Sequence, residues 1–207
     1  MGLFARRGAS DSLGKEPHVE GVNDSGGPSI DGLEGWVALP LEASGDSLRT
    51  RIQDQLAEAT ETTVARLAEL AEALVRQAQG RDELLCAQWA RFDDPHQEYP
   101  GVWASLRIIP GKGTPTPEQF AVFIQQGEVQ LEPPRIEAIQ TASGEAFHVW
   151  SLSRGELPNT YSWVDSVIWI RPGRDGVLWL TSASADVVNG PRRSAELIQL
   201  AQGVRGV

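Results

Sequence analysis

Two short apolar segments near the C-terminal end, residues 167–170 and 177–180, constrain the fold more than any other part of the chain. Each is rich in β-branched and aromatic residues. The residues between them, 171–176, include a proline, two glycines and an aspartate, which is typical of a β-hairpin. Side chains alternate across a strand, so Ile168 and Trp169 face opposite sides, yet both sides are apolar. The pattern therefore predicts a hairpin that is covered on both faces.

Composition narrows the class of protein. The chain has 207 residues, 41% of them hydrophobic and seven of them Trp, which is enough for one core of medium size. Its 18 basic and 28 acidic residues give a net charge of −10, and this argues against a nucleic-acid or anionic-membrane surface. The chain has a single cysteine, no apolar run that could span a bilayer and no hydrophobic stretch of a signal peptide. We therefore expect a soluble, cytoplasmic protein without disulfides.

Residues 1–34 differ from the rest of the chain in composition. They are dominated by Gly, Ser, Asp and Glu and show no hydrophobic period. Such a segment buries too little apolar surface to offset the entropy lost on ordering. We predict a disordered leader over residues 1–34, followed by a single α+β domain over residues 35–207.

Apolar residues spaced by three and four run from Leu48 to Ala78 and predict a helix over residues 47–79. A continuous helix of this length would measure roughly 50 Å at 1.5 Å per residue. The segment 60–63 contains three threonines, which are poor helix formers, so a kink or two separate helices are also compatible. The apolar stripe could face the core of its own domain or form a coiled-coil seam. The second alternative would make a homo-oligomer through helix 47–79.

Two further patterns predict local structure. Thr116 and Gln119 have the spacing of a capping box, with Pro117 at the first helical position, and predict a short helix. Segments 135–142 and 147–153 read as the two strands of a second hairpin.

The acidic segment 93–98 is the strongest candidate for chemistry. Asp93, Asp94, His96 and Glu98 supply carboxylates and an imidazole that could hold a divalent cation or act as acid and base. The segment lacks the twelve-residue spacing and central glycine of an EF-hand. In a chain of net charge −10, a solvated acidic loop is the ordinary interpretation. Beyond these candidates, the sequence predicts no metal, cofactor or catalytic residue.

Trp103 and Arg107 are candidate interaction residues. Both lie on the same side of the predicted strand 102–109, and Trp and Arg dominate the energetics of protein interfaces. The alternative is that a helix covers Trp103. His148, between two apolar residues, reads as a strand histidine with one hydrogen bond and not as a catalytic base.

The order of elements resembles a known family. A segment with Trp36, a helix, a strand pair and a late hairpin ending in 178–182 lead into a C-terminal helix, which resembles the Mog1/PsbP-like α/β/α sandwich and its small actinobacterial members. The resemblance covers residues 36–203. It implies an antiparallel sheet with helices packed on its faces and a non-enzymatic binding or assembly module, with no functional residue to carry over.

These observations lead to one main functional hypothesis and two alternatives. The main hypothesis is an intracellular protein–protein interaction or accessory module, with a protein partner of unknown identity. The alternatives are a metal-dependent enzyme or small-ligand binder that uses the loop 93–98, and a homo-oligomeric structural subunit built on helix 47–79.

Overall fold

The fold is known from a computed structural model. It describes residues 29–30, 35–41, 44–79, 84–93, 100–111, 115–124, 129–154, 160–170 and 176–205. The helices in these ranges are α1 (Gly45–Gln55), α2 (Glu61–Gln79), α3 (Pro117–Ile124) and α4 (Gly190–Gln202). The strands are β1 (Ser29–Ile30), β2 (Trp36–Leu39), β3 (Leu84–Arg91), β4 (Val102–Ile109), β5 (Val129–Gln130), β6 (Arg135–Thr141), β7 (Gly144–Arg154), β8 (Tyr161–Ile170), β9 (Val177–Ser184) and β10 (Val204–Arg205).

Eight of these strands form one antiparallel sheet. The order across it is β2-β3-β4-β9-β8-β7, and β5 and β6 lie one after the other along the outer side of β7. Sequence neighbours are mostly joined by hairpins, which antiparallel pairing permits. Two pairs do not join consecutive strands: β5 pairs with β7, and β4 pairs with β9 and so joins the early and late parts of the chain. This confirms an α+β class with helices packed on an antiparallel sheet.

The hairpin β8–β9 lies at the centre of the sheet and is covered on both faces, as predicted. Ile170 pairs with Val177 and Trp169 with Leu178, so the two strands keep the same alternation. Val167 and Trp169 pack with α4 on one face. Ile168 packs with Phe120 of α3 on the other. Trp169 is 1% exposed, so its ring lies in the core.

The helices divide between the two faces. On one side, called the α4 face, Leu197, Leu200 and Ala201 complete the largest core cluster. The opposite side, called the α1–α3 face, carries α1 and α2 over β2 and β3, and α3 near the β8–β9 hairpin. The chain thus has helices on both sides of its sheet.

The predicted helix 47–79 is two helices. Residues 56–60 separate α1 from α2, and the hydroxyl of Thr60 accepts a hydrogen bond from the Thr63 amide at 3.1 Å, which caps α2. Most of the described part of the apolar stripe faces the core of the same domain: Leu48, Ile52 and Leu67 are at most 1% exposed, whereas Leu70 is 39% exposed. The three buried side chains are therefore not available for a coiled-coil seam.

The capping box of α3 is confirmed. The Thr116 amide donates to Gln119 Oε1 at 2.9 Å, and the Gln119 amide donates to Thr116 Oγ1 at 3.2 Å. The second predicted hairpin is confirmed as β6–β7, with Thr141 opposite Gly144.

Part of the predicted leader takes part in the fold. Ser29–Ile30 pair with Val204–Arg205 in a small two-stranded sheet. Residues 1–28 and 31–34 lie outside the described residues.

The free edge of β2 is closed by a side chain of α1. The Gln55 amide nitrogen donates to the Ala38 carbonyl at 2.9 Å, and the Ala38 amide donates to Gln55 Oε1 at 3.0 Å. A single glutamine thus makes the two hydrogen bonds that a neighbouring strand would make. Edge strands need such protection because their unpaired main-chain groups can recruit another chain.

We expect Gln55→Ala to lower the free energy of unfolding by about 1 kcal/mol, since two hydrogen bonds to an exposed side chain are lost. Urea denaturation measures this loss, and Asp54→Ala, an exposed neighbour on the same helix, is the matched control. Light scattering should also report more aggregation, because Ala38 then presents a free edge. Equal stability of the two variants would contradict this role.

Candidate functional site

Polar side chains from three elements meet on the α4 face. The alternation of β7 and β8 brings His148, Trp163 and Asp165 to this face, beside the apolar cluster. Helix α4 then places Ser194 over them. Asp165 is fully buried, and His148 is 3% exposed.

Asp165 is the centre of this group. Its two carboxylate oxygens accept hydrogen bonds from Ser194 Oγ at 2.8 and 2.9 Å, and Oδ2 accepts one from Trp163 Nε1 at 2.6 Å. His148 Nε2 lies 2.8 Å from Asp165 Oδ1. The imidazole also stacks on the indole of Trp150, with the ring centres 4.8 Å apart. A buried carboxylate is tolerable only with such partners, so this group fastens α4 to the sheet.

The arrangement differs from a catalytic relay, although it contains Ser, His and Asp. In a hydrolase triad, the histidine lies between the serine and the aspartate and takes the proton of the serine. Here the aspartate is the shared partner, and the Ser194 hydroxyl donates to Asp165. His148 makes one hydrogen bond, as predicted, and its buried Nδ1 has no partner in the described part of the chain. The geometry fits a structural role.

A second polar group continues along α4 towards the end of β3. Arg193 is 3% exposed, and its Nη1 donates to Asp93 Oδ1 at 3.2 Å and to Glu196 Oε2 at 3.0 Å. Arg192 reaches the same Asp93 oxygen at 3.1 Å. Arg91 Nε lies 3.5 Å from Glu196 Oε1. Three arginines and two carboxylates thus tie α4 to β3 and to the residue at the start of the acidic loop.

This arrangement changes the acidity of Asp93. The hydrogen bond from Arg193 is the main cause, and with the nearby positive charges it outweighs burial and holds the pKa of Asp93 below its ordinary value of 3.8. The pKa of Arg193 is raised by the same contact. The carboxylate form of Asp93 is therefore the one that the fold favours.

A pH dependence follows from the lowered pKa of Asp93. The unfolded chain binds the proton more readily than the folded chain, so stability falls as the pH drops below about 4 and through the lower folded pKa. At pH 7, we expect Asp93→Asn to be less stable than the parent chain by about 1–3 kcal/mol. Urea denaturation from pH 7 to pH 3 should show this difference shrinking towards acid pH. A difference that stays constant over this range would contradict the assignment.

Of the four predicted site residues in the acidic loop, the structure describes only Asp93. Asp93 binds arginines, as described above. Asp94, His96 and Glu98 lie outside the described residues. Within the described ranges, no group of three or more His, Cys, Asp or Glu side chains is arranged to hold a metal ion.

The two predicted interaction residues lie on the α1–α3 face. Trp103 is half-buried and packs against the cluster of α1 and α2. Arg107 is 7% exposed, and its Nε donates to Ser105 Oγ at 3.2 Å. Their placement agrees with the alternative that a helix covers Trp103. An interaction role for either residue stays a prediction.

Sequence reasoning missed the partners of His148 and Asp93. One signal was present: Asp165 interrupts a strand that is otherwise largely apolar on the face that it shares with Val167 and Trp169. A carboxylate at a covered position needs donors, which the sequence alone does not locate.

The outer side of β6 is the one place where the sheet presents a long strand that pairs on one side only within the described ranges. In an antiparallel pair, successive residues point their main-chain groups alternately towards and away from the neighbour. The tight turn between the paired residues Thr141 and Gly144 fixes this alternation. As a result, Ile136, Ala138 and Gln140 direct their N–H and C=O groups outward. The Gln140 carbonyl accepts a hydrogen bond from Gln202 Nε2 at 2.9 Å, in agreement with this direction.

The side chains of β6 are largely accessible. Arg135, Glu137, Ala138 and Gln140 are exposed, and Ile136 is half-buried against the cluster of Phe120 on the α1–α3 face.

None of the helices in the described ranges has the length and apolar character needed to cross a bilayer. The chain matches no protein-family model, and no curated protein is significantly similar to it in sequence.

Proposed function

We propose that this chain is a non-enzymatic protein-interaction module that receives an extended segment of a partner along β6. The observation that carries the proposal is the contrast between the two edges of the sheet. Gln55 already occupies the outward groups of Ala38 on β2. On β6, the outward groups belong to the half-buried Ile136 and the exposed Ala138, in a seven-residue strand that pairs only with β7 in the described part of the chain.

A partner strand would bind by continuing the sheet. Main-chain hydrogen bonds supply affinity in this mode of recognition, and alternate side chains supply specificity. Ile136 would offer an apolar contact on the α1–α3 face, and Arg135 and Glu137 would offer two opposite charges on the α4 face. The rigid support behind β6 is the β7–β8 pair, which Asp165 and Ser194 fasten to α4.

The opposing interpretation is that Arg135 and Glu137 guard the edge. Exposed charges on edge strands discourage pairing with other chains. The two interpretations differ in what they expect when the main-chain donor of Ala138 is removed. If the charges only prevent pairing, removing this donor should leave the crosslinking unchanged. If the edge binds a partner strand, removing the donor should abolish the binding.

The experiment uses a photocrosslinking amino acid at Gln140 in the full chain, expressed in its own cells. We expect protein adducts that disappear when Ala138→Pro is added. Proline is tolerated at an outward-facing edge position because the lost N–H is not used within the sheet. The same crosslinker at Glu69, exposed on α2, is the control. Adducts that are no stronger than the control, or that survive Ala138→Pro, would overturn the proposal.

The location and the fold type that we propose are those expected from the sequence. We place the module in the cytoplasm, and we propose that its sandwich of helices and antiparallel sheet is of the Mog1/PsbP-like type. The alternative function, metal-dependent chemistry at the loop 93–98, has less support because Asp93 already accepts hydrogen bonds from Arg192 and Arg193.

A further inference from the structure

We infer that the strand received along β6 is β6 of a second copy of this chain, paired antiparallel about a two-fold axis at Ile136. The inference rests on the proposed function, because it names the partner of the same edge. Its basis is the order of charged and outward-facing residues in β6.

The alternation of main-chain groups restricts how two copies can pair. Outward-facing residues must lie opposite outward-facing residues, and these are Ile136, Ala138 and Gln140. Two-fold pairing centred within this set has five registers, with the axis at any residue from 136 to 140. The two with the axis at Ile139 or Gln140 need the Gln140 carbonyl, which already accepts from Gln202, and place no charged residue of β6 opposite Arg135 or Glu137. The other three have the axis at Ile136, at Glu137 or at Ala138. The side chains opposite one another differ among the three.

The charged side chains of Arg135 and Glu137 favour one of the three registers. With the axis at Ile136, Arg135 of each copy lies opposite Glu137 of the other on the α4 face, so two pairs of opposite charge form by symmetry. With the axis at Glu137, two glutamates lie directly opposite each other, which is destabilising. With the axis at Ala138, Glu137 faces Ile139 and neither charge has a partner opposite it.

The main-chain hydrogen bonds argue against the axis at Ala138. With the axis at Ala138, the Ile136 amide would need the Gln140 carbonyl, which already accepts from Gln202. With the axis at Ile136, the two Ile136 residues bond each other, and each Ala138 amide meets the carbonyl of Pro134 in the other copy. Pro134 has no N–H, so the Ala138 carbonyl gains no partner in this register, and the two pairs of opposite charge are what favour it over the axis at Glu137.

The contact is small. It involves about five residues from each copy, well below the area of a standard stable interface. We therefore expect a dimer that forms at high concentration and dissociates on dilution.

The test is analytical ultracentrifugation of the full chain over a range of concentrations. We expect the parent chain to dimerise reversibly. Arg135→Glu and Glu137→Arg should each weaken the dimer about tenfold or more, because two attractive pairs become two repulsive ones. Ala138→Pro should weaken it as well, through loss of the outward donor.

An equimolar mixture of the two charge variants gives the sharpest result. One copy then carries two glutamates and the other two arginines at positions 135 and 137, so both cross-strand pairs are again opposite in charge. We expect the mixture to form a heterodimer as readily as the parent chain forms its dimer. This recovery also shows that both variants are folded.

Glu69→Arg is the matched control for net charge. It changes the net charge from −10 to −8, since −1 becomes +1, as does Glu137→Arg. A smaller net charge reduces general repulsion between copies, so Glu69→Arg should not weaken the dimer. Of these two substitutions with equal charge change, only Glu137→Arg is expected to weaken the dimer.

A parent chain that stays monomeric, or a dimer that the charge variants and their mixture leave unchanged, would overturn the inference. Crosslinking at Gln140 to a different protein that is lost with Ala138→Pro would then still support the proposed function. Absence of both results would remove the function and the inference together.

Discussion

Asp165→Leu should lower the free energy of unfolding by about 3–5 kcal/mol, one of the two largest effects that we expect. The substitution leaves Ser194 Oγ and His148 Nε2 without their acceptor in a buried site, and it leaves Trp163 Nε1 with only the Ser194 hydroxyl, at 3.1 Å. Each buried polar group left unpaired costs about 1–3 kcal/mol, and partial rearrangement recovers some of the sum.

Urea denaturation followed by circular dichroism measures this loss. The matched control is Asp54→Leu, the same replacement at an exposed position of α1, which should change stability by no more than about 0.5 kcal/mol. Adding His148→Phe to Asp165→Leu should recover part of the loss, because one unpaired group is removed. If Asp165→Leu were as stable as its control, Asp165 would not be the centre of the group that holds α4.

The second large effect is expected for Trp169→Ala, with a loss of about 3–5 kcal/mol. Trp169 is 1% exposed in the core between β8 and α4, so its removal leaves a cavity. Its Nε1 also donates to Thr141 Oγ1 at 3.0 Å, which links the central hairpin to the end of β6.

The midpoint of urea denaturation should fall with little change in the slope, because the core loses packing without losing its fold. Trp169→Phe keeps most of the volume and should lose less. Tyr161→Ala, at a ring that is 42% exposed at the start of the same strand, is the control for aromatic loss. If Trp169→Ala and Tyr161→Ala lowered the free energy of unfolding by similar amounts, the placement of Trp169 in the core would be contradicted.

Local patterns predicted the parts of the fold that depend on neighbours in sequence. The alternation in 167–170 and 177–180 predicted a hairpin covered on both faces, and the spacing of Thr116 and Gln119 predicted the cap of α3. The two-helix alternative for 47–79 is the one that forms, because Thr60 caps α2 instead of continuing a helix.

The remaining features depend on residues far apart in the chain. Asp93 read as a possible metal ligand because its neighbours are acidic, yet its partner Arg193 is a hundred residues away. The role of Asp165 needed the position of Ser194, and the role of β6 as an edge needed the strand order. A pattern within one segment carries no information on any of these three.

The closure of β2 by Gln55 limits how far copies could add to one another. A sheet that accepted strands on both sides would let copies join end to end into a filament. Since the outward groups of Ala38 already bond Gln55, the described part of the eight-stranded sheet leaves its β6 side for growth by strand addition. Two copies joined there would each cover the β6 side of the other, and growth along the eight-stranded sheet would stop at two copies.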